Sequence, residues 1–528
     1  MTGTSLVEGR RNRLLRRVDW RFLLPDPCPA RIVCYAGGDL RDGLELVASS
    51  VVYPDGSPEG DCDLAVAVNP STRVLRDAQS RLRPGGMCYA EWSWVWPWSR
   101  KSIRASLASS GFEGARWYMP WRRPPRCRLW LPCDAPGAAA FFIGRPLPFT
   151  NPARRLAGLL LRRLVIAGFR FGATPLLCGV ARKPVPGVEQ GAGIANTLDL
   201  PEAGTPTEVT QPLAQRLRRP MTSASWLLLT GGQRAIAKVV GLRFAEPSSE
   251  PSVVVKMARV PESVSGLTQE AATLRALAST GAELTGVPRV LFVRQGSGTV
   301  TVGESLVRGM PLSAMLRSHN SGHWAGMAMS WLLTLAEHTR REDSNWAPRA
   351  ASALVERFDR DFGLVADSGM LRATTARLGS LEGVPQVCEH RDFAPWNILV
   401  APDGTLGALD WESSDLRGFP VLDLLYFLTY LGFALDRAGT LRAAVASYRK
   451  ALRPGTPTGR IRQETVARYA EELRLSPAAL QALRPLVWII HSRSEHERFV
   501  ADLGGPPPEA MLRRSLFLRL WIEEMRRD

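Results

Sequence analysis

The sequence lacks the features of a membrane or secreted protein. It has no run of about 18 apolar residues, and its longest apolar stretch, at 156–169, is interrupted by Arg162 and Arg163. Its first 20 residues are basic, without the apolar core and small-residue cleavage site of a secretory signal. We therefore expect a cytoplasmic protein with no membrane-spanning segment.

Closely spaced cysteine pairs are also absent. Eight cysteines are scattered along the chain, and no two of them form a C-x2-C pair. Structural zinc sites and the disulfide frameworks of small secreted domains both depend on such patterned cysteines. The sequence therefore predicts reduced, buried thiols, with neither a zinc site nor a disulfide framework.

Acidic residues are scarce in the first third of the chain. Residues 1–184 contain 28 Lys and Arg against 14 Asp and Glu, so +14 of the total charge of +17 lies there. Such a surplus fits an anionic partner, either a phosphate-rich substrate, a membrane surface or nucleic acid, but it also fits a sequence that is simply rich in arginine. No Lys/Arg patch is interleaved with base-stacking aromatics, which argues against nucleic acid.

Apolar periodicity is absent from residues 184–220, where Pro, Gly and Thr are frequent. A chain of 528 residues is too long for a single core. We predict an α/β front domain at 1–184, a linker at 185–205, a strand-rich lobe at 206–308 and a mainly helical lobe at 309–528.

The front domain alternates between strand and helix patterns. Strands are predicted near 30–35, 50–55, 63–71, 87–94 and 113–121, with helices between them, including 72–86 and 100–112. Alternation of this kind is typical of a doubly wound, Rossmann-like α/β sheet.

The back of the chain reads differently, as strands followed by helices. Strands are predicted at 223–230, 235–244, 252–258, 287–293 and 299–307, with one helix at 267–280. Helices follow near 311–318, 323–340, 347–362, 421–434, 438–452, 461–474 and 476–491. This order predicts an α+β domain with two lobes, and ligands often bind between such lobes.

Polar residues cluster in "HRDFAPWN", at 390–397, immediately before an apolar strand. The stretch from 398 to Asp410 reads as a hairpin turning at Pro402-Asp403-Gly404. A hairpin returns the chain to its start, so Asp392, Asn397 and Asp410 are expected to converge. Two carboxylates and an amide oxygen suit Mg²⁺, which completes its shell with water and substrate phosphates.

Phosphoryl transfer needs few protein groups besides a metal site, and the sequence offers them. Lys256 follows a run of valines and can bind phosphates. Glu270, on the next helix, can pair with Lys256. Gly231 and Gly232 would let backbone amides approach phosphate at the first hairpin. Asn397 and Asp410 would hold the metal, and Asp392 would orient and deprotonate an acceptor hydroxyl.

This order of residues resembles the aminoglycoside phosphotransferase and choline kinase group of the protein-kinase-like superfamily. The resemblance rests on "HRDFAPWN", on "LDWE" at 409–412 and on "GFPVLDLLYFL" at 418–428. It implies a Mg²⁺-dependent kinase that uses ATP or GTP, with His390 and Asp423 bracing the catalytic loop and Glu304 near the nucleotide base. Arg391 departs from the group, which often has glycine there. No D-F-G or A-P-E follows, which argues against a eukaryotic-type protein kinase.

The front domain resembles the second half of class I S-adenosylmethionine-dependent methyltransferases, in "LRPGGMCYAEW" (82–92) and "LASSGFEGARWY" (107–118). Its first half departs from them. Only Gly37 and Gly38 remain of the cofactor loop, and little chain separates the strand near Asp55, the ribose-binding candidate, from the next. We expect a degenerate, non-catalytic domain rather than a working methyltransferase.

Two surface patterns remain. Trp92, Trp94, Trp96 and Trp98 alternate, so a strand would place them on one face, where they could stack sugars, lie at a membrane interface or pack in a core. The segment 151–171 mixes apolar residues with Arg154, Arg155, Arg162, Arg163 and Arg170. It would lie on an anionic membrane surface, or else form a buried helix with solvated arginines.

The sequence therefore predicts a small-molecule kinase fused to a methyltransferase-like domain. The acceptor would be a hydroxyl of a small molecule or glycan, for example a cell-envelope or polysaccharide precursor. A polycationic aminoglycoside would favour an acidic lobe, whereas residues 185–528 are nearly neutral. The alternatives are a bifunctional kinase–methyltransferase and a pseudoenzyme scaffold associated with membranes.

Overall fold

The computed structural model describes residues 3–56, 58–144, 152–170, 174–186, 224–231, 236–245, 248–280, 284–296, 299–503 and 505–527. Gly232, most of the predicted linker and the side chains of Trp98, Arg154, Arg155 and Arg170 lie outside the described residues. The chain forms two compact units. The sheet unit comprises Leu6–Leu267 and Val290–Leu306, and the helical unit comprises Thr268–Arg289 and Val307–Asp528 with the first five residues.

A twelve-stranded mixed sheet dominates the sheet unit. Its strands are β1 Arg31–Cys34, β2 Ser50–Val52, β3 Cys62–Val68, β4 Leu82–Val95, β5 Glu113–Pro120, β6 Leu129–Pro132, β7 Thr174–Arg182, β8 Ala224–Leu229, β9 Val239–Ala245, β10 Pro251–Met257, β11 Val290–Gly296 and β12 Thr299–Ser305. Their order across the sheet is β11-β12-β10-β9-β8-β6-β5-β7-β4-β3-β1-β2.

The first strands form the predicted α/β pattern. β1 pairs in parallel with β2 and β3, and β3 pairs in parallel with β4. The helices of the sheet unit are α1 Gly3–Arg17, α2 Asp39–Glu45, α3 Thr72–Arg81, α4 Pro97–Ser109, α5 Pro136–Gly144 and α6 Pro152–Arg170. The sequence did not reveal α1, β6, α5 or β7. β7 lies antiparallel between β4 and β5, a position that depends on long-range pairing.

The predicted linker does not divide the sheet unit. β6 pairs with β8, with Leu129 opposite Leu229 and Trp130 opposite Leu228. The front domain and the strands of the predicted second lobe therefore share one sheet. An edge strand exposes unpaired backbone groups, and here β6 satisfies those of β8. Both strands belong to the unit that extends to Leu267, and the linker at 185–205, which lies mostly outside the described residues, stays a prediction.

Two apolar layers cover this sheet and continue past the β6–β8 junction. On one face Trp20 stacks on Tyr89, with ring centroids 3.6 Å apart. The same cluster continues to Trp226 on β8 and Val255 on β10. The opposite cluster includes Leu75 of α3, Leu107 of α4 and Phe142 of α5. Because both clusters continue across the junction, the front strands and strands β8 to β10 share one apolar core.

The helical unit contains α7 Val264–Ser279 (from Thr268 on), α8 Leu312–Met315, α9 Ser321–Thr339, α10 Trp346–Phe362, α11 Ser368–Ala376, α12 Leu422–Asp436, α13 Leu441–Ala451, α14 Pro457–Glu472, α15 Pro477–Leu503, α16 Glu509–Leu512 and α17 Leu516–Met525. Its short strands are β13 Met310–Pro311, β14 Val387–Glu389, β15 Ile398–Val400, β16 Leu406–Ala408 and β17 Asp415–Gly418. They form a three-stranded sheet, β13-β15-β16, and a two-stranded one, β14-β17. The helical character predicted after 311 is confirmed.

Trp92, Trp94 and Trp96 do not share one face, so that expectation is wrong for the three of the alternating tryptophans whose side chains are described. Trp92 is buried against Trp117. Trp94 has φ +56° and is 67% exposed, and Trp96 precedes the first residue of α4. The left-handed backbone at Trp94 breaks the alternation that the spacing had suggested.

All eight cysteines lie among the described residues; each is a free thiol, and six are buried. Within the described part of the chain, no helix has both the length and the apolar character required to cross a membrane.

Candidate active site

The loop between β14 and β15 is anchored by Asp423 of α12. The carboxylate of Asp423 accepts the backbone N–H groups of His390 (2.6 Å) and Arg391 (2.8 Å). His390 is fully buried; its Nδ1 accepts the N–H of Asp392 at 3.3 Å, so Nε2 carries the proton and donates to the Leu409 carbonyl at 2.9 Å. Both residues therefore brace the loop, as the resemblance implied.

Arg391 lies in a backbone conformation that favours glycine. Its φ is +61°, a left-handed conformation that costs a residue with a Cβ about 1–2 kcal/mol. Its guanidinium forms ion pairs with Glu389 (3.4 Å) and Asp415 (2.8 Å). These contacts offset the backbone strain.

Asp392 is held by donors on both carboxylate oxygens. Tyr426 of α12 donates its hydroxyl to Oδ1 at 3.1 Å, and the amide Nδ2 of Asn397 donates to Oδ2 at 2.7 Å. Nδ2 of Asn397 also donates to the Asp392 backbone carbonyl at 3.0 Å. The carboxylate plane is thus fixed before any substrate binds.

The environment of Asp392 suits a proton acceptor near neutral pH. Burial raises the pKa of Asp392 to about 7, and the negative charges of Asp410 and Glu412 act in the same direction. Hydrogen bonds from Tyr426 and Asn397 lower this pKa. A general base works best when its pKa is close to the working pH.

Asp410 follows the predicted hairpin, which is confirmed. Ile398 pairs with Ala408 and Val400 with Leu406. Beyond the hairpin, the N–H of Leu409 donates to the carbonyl of Asn397 at 2.9 Å, which brings the two ends of this segment together. Asp410 has φ +68° and is half-buried.

Glu270 holds the backbone beside Asp410. It is fully buried on α7, and its Oε1 accepts the N–H of Trp411 at 2.9 Å. Ser414, after the same turn, donates its hydroxyl to Thr273 of α7 at 2.8 Å. The sequence did not suggest this role for Glu270. Its predicted pair with Lys256 would join residues of different units and stays a prediction.

The donor set in the helical unit fits Mg²⁺. Both donor hydrogens of Asn397 point to Asp392. The amide oxygen of Asn397, Oδ1, is therefore the atom of this side chain that can bind a cation. Asp410 lies close enough to Asp392 to raise that residue's pKa. Among the described residues, no group of three His, Cys, Asp or Glu could hold a metal. A metal at this position would be held by the amide oxygen of Asn397 besides the carboxylate of Asp410.

Lys256 and Glu304 form an ion pair inside the sheet unit. The ammonium of Lys256 lies 2.9 Å from Oε2 of Glu304, and both residues are almost fully buried. Glu304 lies on β12, next to β10, which carries Lys256. The sequence placed Glu304 near a nucleotide base. In the structure its side chain contacts Lys256, because adjacent strands bring the two residues together, and the proximity of Glu304 to a nucleotide base stays a prediction.

Gly231 directly follows the buried Thr230 and is exposed. A Cβ built on it would meet no atom within 4 Å, so its backbone is accessible on that side. Its partner in the predicted phosphate loop, Gly232, lies outside the described residues.

Sequence reasoning missed Tyr426 and His491. The ring of Tyr426 stacks on His491 of α15, with centroids 4.1 Å apart. Burial lowers the pKa of His491 to about 3, so this histidine is neutral at physiological pH. Tyr426 lies within the quoted "GFPVLDLLYFL" segment, where it looked like an apolar helix position. Tyr426 and Asp392 are 34 residues apart in the sequence, and their hydrogen bond becomes visible only in the folded chain.

Two arginines of α1 form ion pairs with acidic residues that follow the predicted two-glycine cofactor loop of the front domain. Arg13 pairs with Asp39, directly after Gly38, at 2.7 Å, and Arg10 pairs with Asp42 at 3.2 Å. Asp55 is exposed in a short turn, Pro54–Gly56. The acidic groups near this loop are therefore engaged by the chain itself.

Comparison with known proteins identifies the second part of the chain. Residues 225–462 match the family model described as "Phosphotransferase enzyme family". This segment includes Lys256, Glu270, Asp392, Asn397 and Asp410. No curated protein sequence was found to match the chain.

Several solved structures are similar to it at low identity. Aminoglycoside-3'-phosphotransferase of type VIII is 17% identical, with 53% of this chain and 97% of that chain covered and a TM-score of 0.31. Aminoglycoside phosphotransferase APH(3'')-Id from Streptomyces rimosus ATCC10970 is 18% identical, with 52% and 98% covered and a TM-score of 0.31. Glucosamine kinase, in complex with glucosamine, ADP and inorganic phosphate, is 18% identical, with 60% and 85% covered and a TM-score of 0.32.

The family match agrees with the architecture of this part of the chain, which contributes the antiparallel strands β8 to β12 to the large mixed sheet and continues into helices, as in a kinase-like fold. It covers less than half of the 528 residues and leaves the front domain unassigned. Residues 225–462 thus match the phosphotransferase enzyme family model, and the prediction of a small-molecule kinase is confirmed at this level.

Proposed function

We propose that the protein transfers the γ-phosphate of ATP or GTP to a hydroxyl of a small molecule or glycan, in a Mg²⁺-dependent reaction. The observation that carries this proposal is the arrangement around Asp392. Its carboxylate is fixed by Tyr426 and Asn397, and the Asn397 amide oxygen remains for a metal.

In this reaction Asp392 orients the acceptor hydroxyl and takes up its proton. The acceptor oxygen forms a bond to the γ-phosphorus while the bond from that phosphorus to the β–γ bridging oxygen breaks, which releases a nucleoside diphosphate. Asn397 and Asp410 would hold Mg²⁺, and Lys256 would bind phosphate oxygens. Bound Mg²⁺ supplies neutralisation of the negative charge on the phosphates.

A thermal shift experiment tests nucleotide use. ATP and GTP are each added with and without Mg²⁺ to the full chain. We expect a rise in melting temperature that requires Mg²⁺ and at least one nucleotide, because ligands that bind only the folded state stabilise it. Asn397→Ala should lose the Mg²⁺-dependent part of the shift. The absence of any Mg²⁺-dependent shift would favour the pseudoenzyme scaffold.

The acceptor is proposed to be a neutral or anionic molecule with a ring. Trp396 lies between Asp392 and Asn397 in the loop, is 47% exposed and contacts the ring of Tyr430 edge-on at 4.9 Å. An exposed indole beside the proposed base offers a flat apolar surface to a sugar ring. Screening of monosaccharides and glycan precursors for nucleotide-dependent phosphorylation, with Trp396→Ala as comparison, tests this class.

The front domain is proposed to be a methyltransferase-like domain without catalytic activity. Support comes from the arginines of α1 that engage Asp39 and Asp42 beside the two-glycine loop. Titration calorimetry of the full chain with S-adenosylmethionine should show no binding in the low micromolar range. Clear binding that is lost in Asp55→Ala would instead support the bifunctional enzyme.

A second proposal is association with an anionic membrane surface through α6. The helix exposes Leu156 (60%), Leu160 (50%), Leu161 (55%) and Leu164 (69%) to solvent. Arg162, by contrast, is buried and donates to the Phe142 carbonyl at 3.1 Å, whereas Arg163 is exposed. The expected alternative of a buried helix with solvated arginines does not describe this arrangement.

Flotation with liposomes tests the membrane proposal. The protein should bind vesicles that contain phosphatidylserine more than neutral vesicles, in a salt-sensitive way, because exposed apolar and basic residues both contribute. Leu160→Ser/Leu164→Ser should reduce binding, whereas Leu441→Ser, at an exposed leucine of the helical unit, should not. Equal binding of neutral and anionic vesicles would refute the role of charge.

A further inference from the structure

A buried ion pair joins the beginning of the chain to the strands of the proposed nucleotide site. Asp19 lies in a short 3-10 helix, Asp19–Leu23, all of whose residues are buried. Arg259 donates through Nε to Oδ1 of Asp19 at 3.0 Å and through Nη2 to Oδ2 at 3.2 Å. The two residues are 240 positions apart and both are almost fully buried.

Arg259 has a second partner that is decisive for its role. Its Nη2 also donates to the carbonyl of Thr230 at 3.2 Å. Thr230 directly follows β8 and precedes Gly231, while Arg259 lies three residues after Lys256 on the segment that leaves β10. A single guanidinium thus contacts both the segment after β8, which leads to Gly231, and the segment after β10, the strand that carries Lys256.

Other residues of the front domain support the same two strand ends. The N–H of Thr230 donates to the carbonyl of Arg128 at 3.0 Å, and its hydroxyl donates to the carbonyl of Cys127 at 3.3 Å. Arg21 donates through Nη2 to the carbonyl of Arg259 at 2.5 Å. The front domain therefore surrounds both strand ends with hydrogen bonds.

We propose that Asp19 and Arg259 are positioning residues that hold Gly231 and Lys256 in the geometry needed for nucleotide binding, so that the front domain is a structural part of the kinase. This gives the front domain a function that requires no methyl transfer. The proposal rests on the proposed function, because it assumes that Gly231 and Lys256 contact a nucleotide.

Asp19→Asn replaces the charged bidentate acceptor of Arg259 by a neutral amide, and the loss of one charge of a buried ion pair is costly, which weakens the restraint on the segments after β8 and β10. Asp19→Asn should weaken binding of Mg²⁺-ATP by tenfold or more, at a temperature where the variant remains folded by circular dichroism. The KM for nucleotide should rise while kcat at saturating nucleotide changes less. Exchange of the Thr230 amide hydrogen should accelerate.

Glu91→Gln provides a matched control for general destabilisation. Glu91 forms a largely buried ion pair with Arg17 in the same unit, and it also accepts a hydrogen bond from the Tyr89 hydroxyl on the same strand. This variant should lower the melting temperature yet keep the wild-type affinity for nucleotide. An equal loss of affinity in both variants would show that the effect is only one of stability.

Arg259→Lys keeps the experiment informative if Asp19→Asn does not fold. Lysine retains the positive charge opposite Asp19, but one ammonium cannot reproduce the planar fork that reaches Asp19 and Thr230 together. A several-fold loss of nucleotide affinity is expected. Wild-type affinity in every folded variant would overturn the proposal, whereas failure of the wild-type protein to bind nucleotide would overturn the proposed function instead.

Discussion

The hydroxyl of Tyr426 lies 3.1 Å from Oδ1 of Asp392 and donates a hydrogen bond to it. This bond stabilises the charged form of a carboxyl group whose pKa burial raises to about 7. Asn397 binds the other oxygen, so the two donors together hold Asp392 in one orientation. Tyr426 is in turn packed against His491 and Tyr430, which fixes the direction of its hydroxyl.

Tyr426→Phe should shift the pH dependence of phosphoryl transfer. Asp392 accepts a proton only when ionised, so activity rises as pH increases through its pKa of about 7. Loss of the Tyr426 hydroxyl removes a bond that lowers this pKa, and the rising limb should move to higher pH. The measurement is the pH–rate profile of kcat. Tyr448→Phe, at a buried tyrosine whose hydroxyl binds Glu524, should leave the profile in place.

Asp392→Asn and Asp410→Asn should affect turnover and nucleotide binding differently. Asp392→Asn should lower kcat by about 10²–10⁴-fold, the usual contribution of a general base, and leave nucleotide affinity nearly intact. Asp410→Asn should weaken Mg²⁺-nucleotide binding as well as turnover. Slow hydrolysis of the nucleotide by water serves as the assay until an acceptor is found. Undiminished turnover in Asp392→Asn, both for water and for an acceptor, would contradict the assignment of the loop.

Asp423→Ala should destabilise the catalytic loop. The substitution leaves the buried N–H groups of His390 and Arg391 without their acceptor, at a cost of about 1–3 kcal/mol for each group. Urea denaturation should show the lower free energy of unfolding, and kcat should fall because Asp392 follows directly. Asp367→Ala, which removes only the cap of α11, serves as a control that costs stability without a comparable loss of kcat.

The pH dependence of stability should also report on Asp423. Burial raises its folded pKa to about 6, above the ordinary value of 3.8, so the folded state favours the protonated carboxyl. The contribution of this group is therefore greatest below pH 4 and is lost as pH rises towards 6. In Asp423→Asn, which cannot titrate, this part of the pH dependence should disappear from urea midpoints measured between pH 4 and 7. If the urea midpoints of the variant and the wild type differ by the same amount at every pH in that range, the prediction is wrong.

Arg391→Gly should separate backbone strain from ion pairing. Both Arg391→Gly and Arg391→Ala lose the ion pairs with Glu389 and Asp415, but glycine adopts φ +61° without strain, whereas alanine keeps the strain. The glycine variant should therefore be more stable than the alanine variant by about 1 kcal/mol in chemical denaturation. Equal stability of the two variants would mean that the left-handed conformation carries no cost.

Much of the catalytic loop was determined by local sequence. The spacing of Asp392, Asn397 and Asp410 around the turn at Gly404 was sufficient to predict a hairpin and a set of oxygen donors, because a short antiparallel pair closes through neighbouring residues. The alternation of strand and helix in the front domain was likewise read from local periodicity. In both cases the partners are near in sequence, so few alternative arrangements compete.

Contacts between distant segments were decided only by the tertiary structure. Tyr426 and His491 reach the site because α12 and α15 pack together, and Glu304 meets Lys256 because β12 lies beside β10. The merger of the front domain with the kinase strands depends on the β6–β8 pairing and on the Asp19–Arg259 ion pair across 240 positions. No short-range pattern encodes such partners, since the free energy of burying them arises only when whole elements pack.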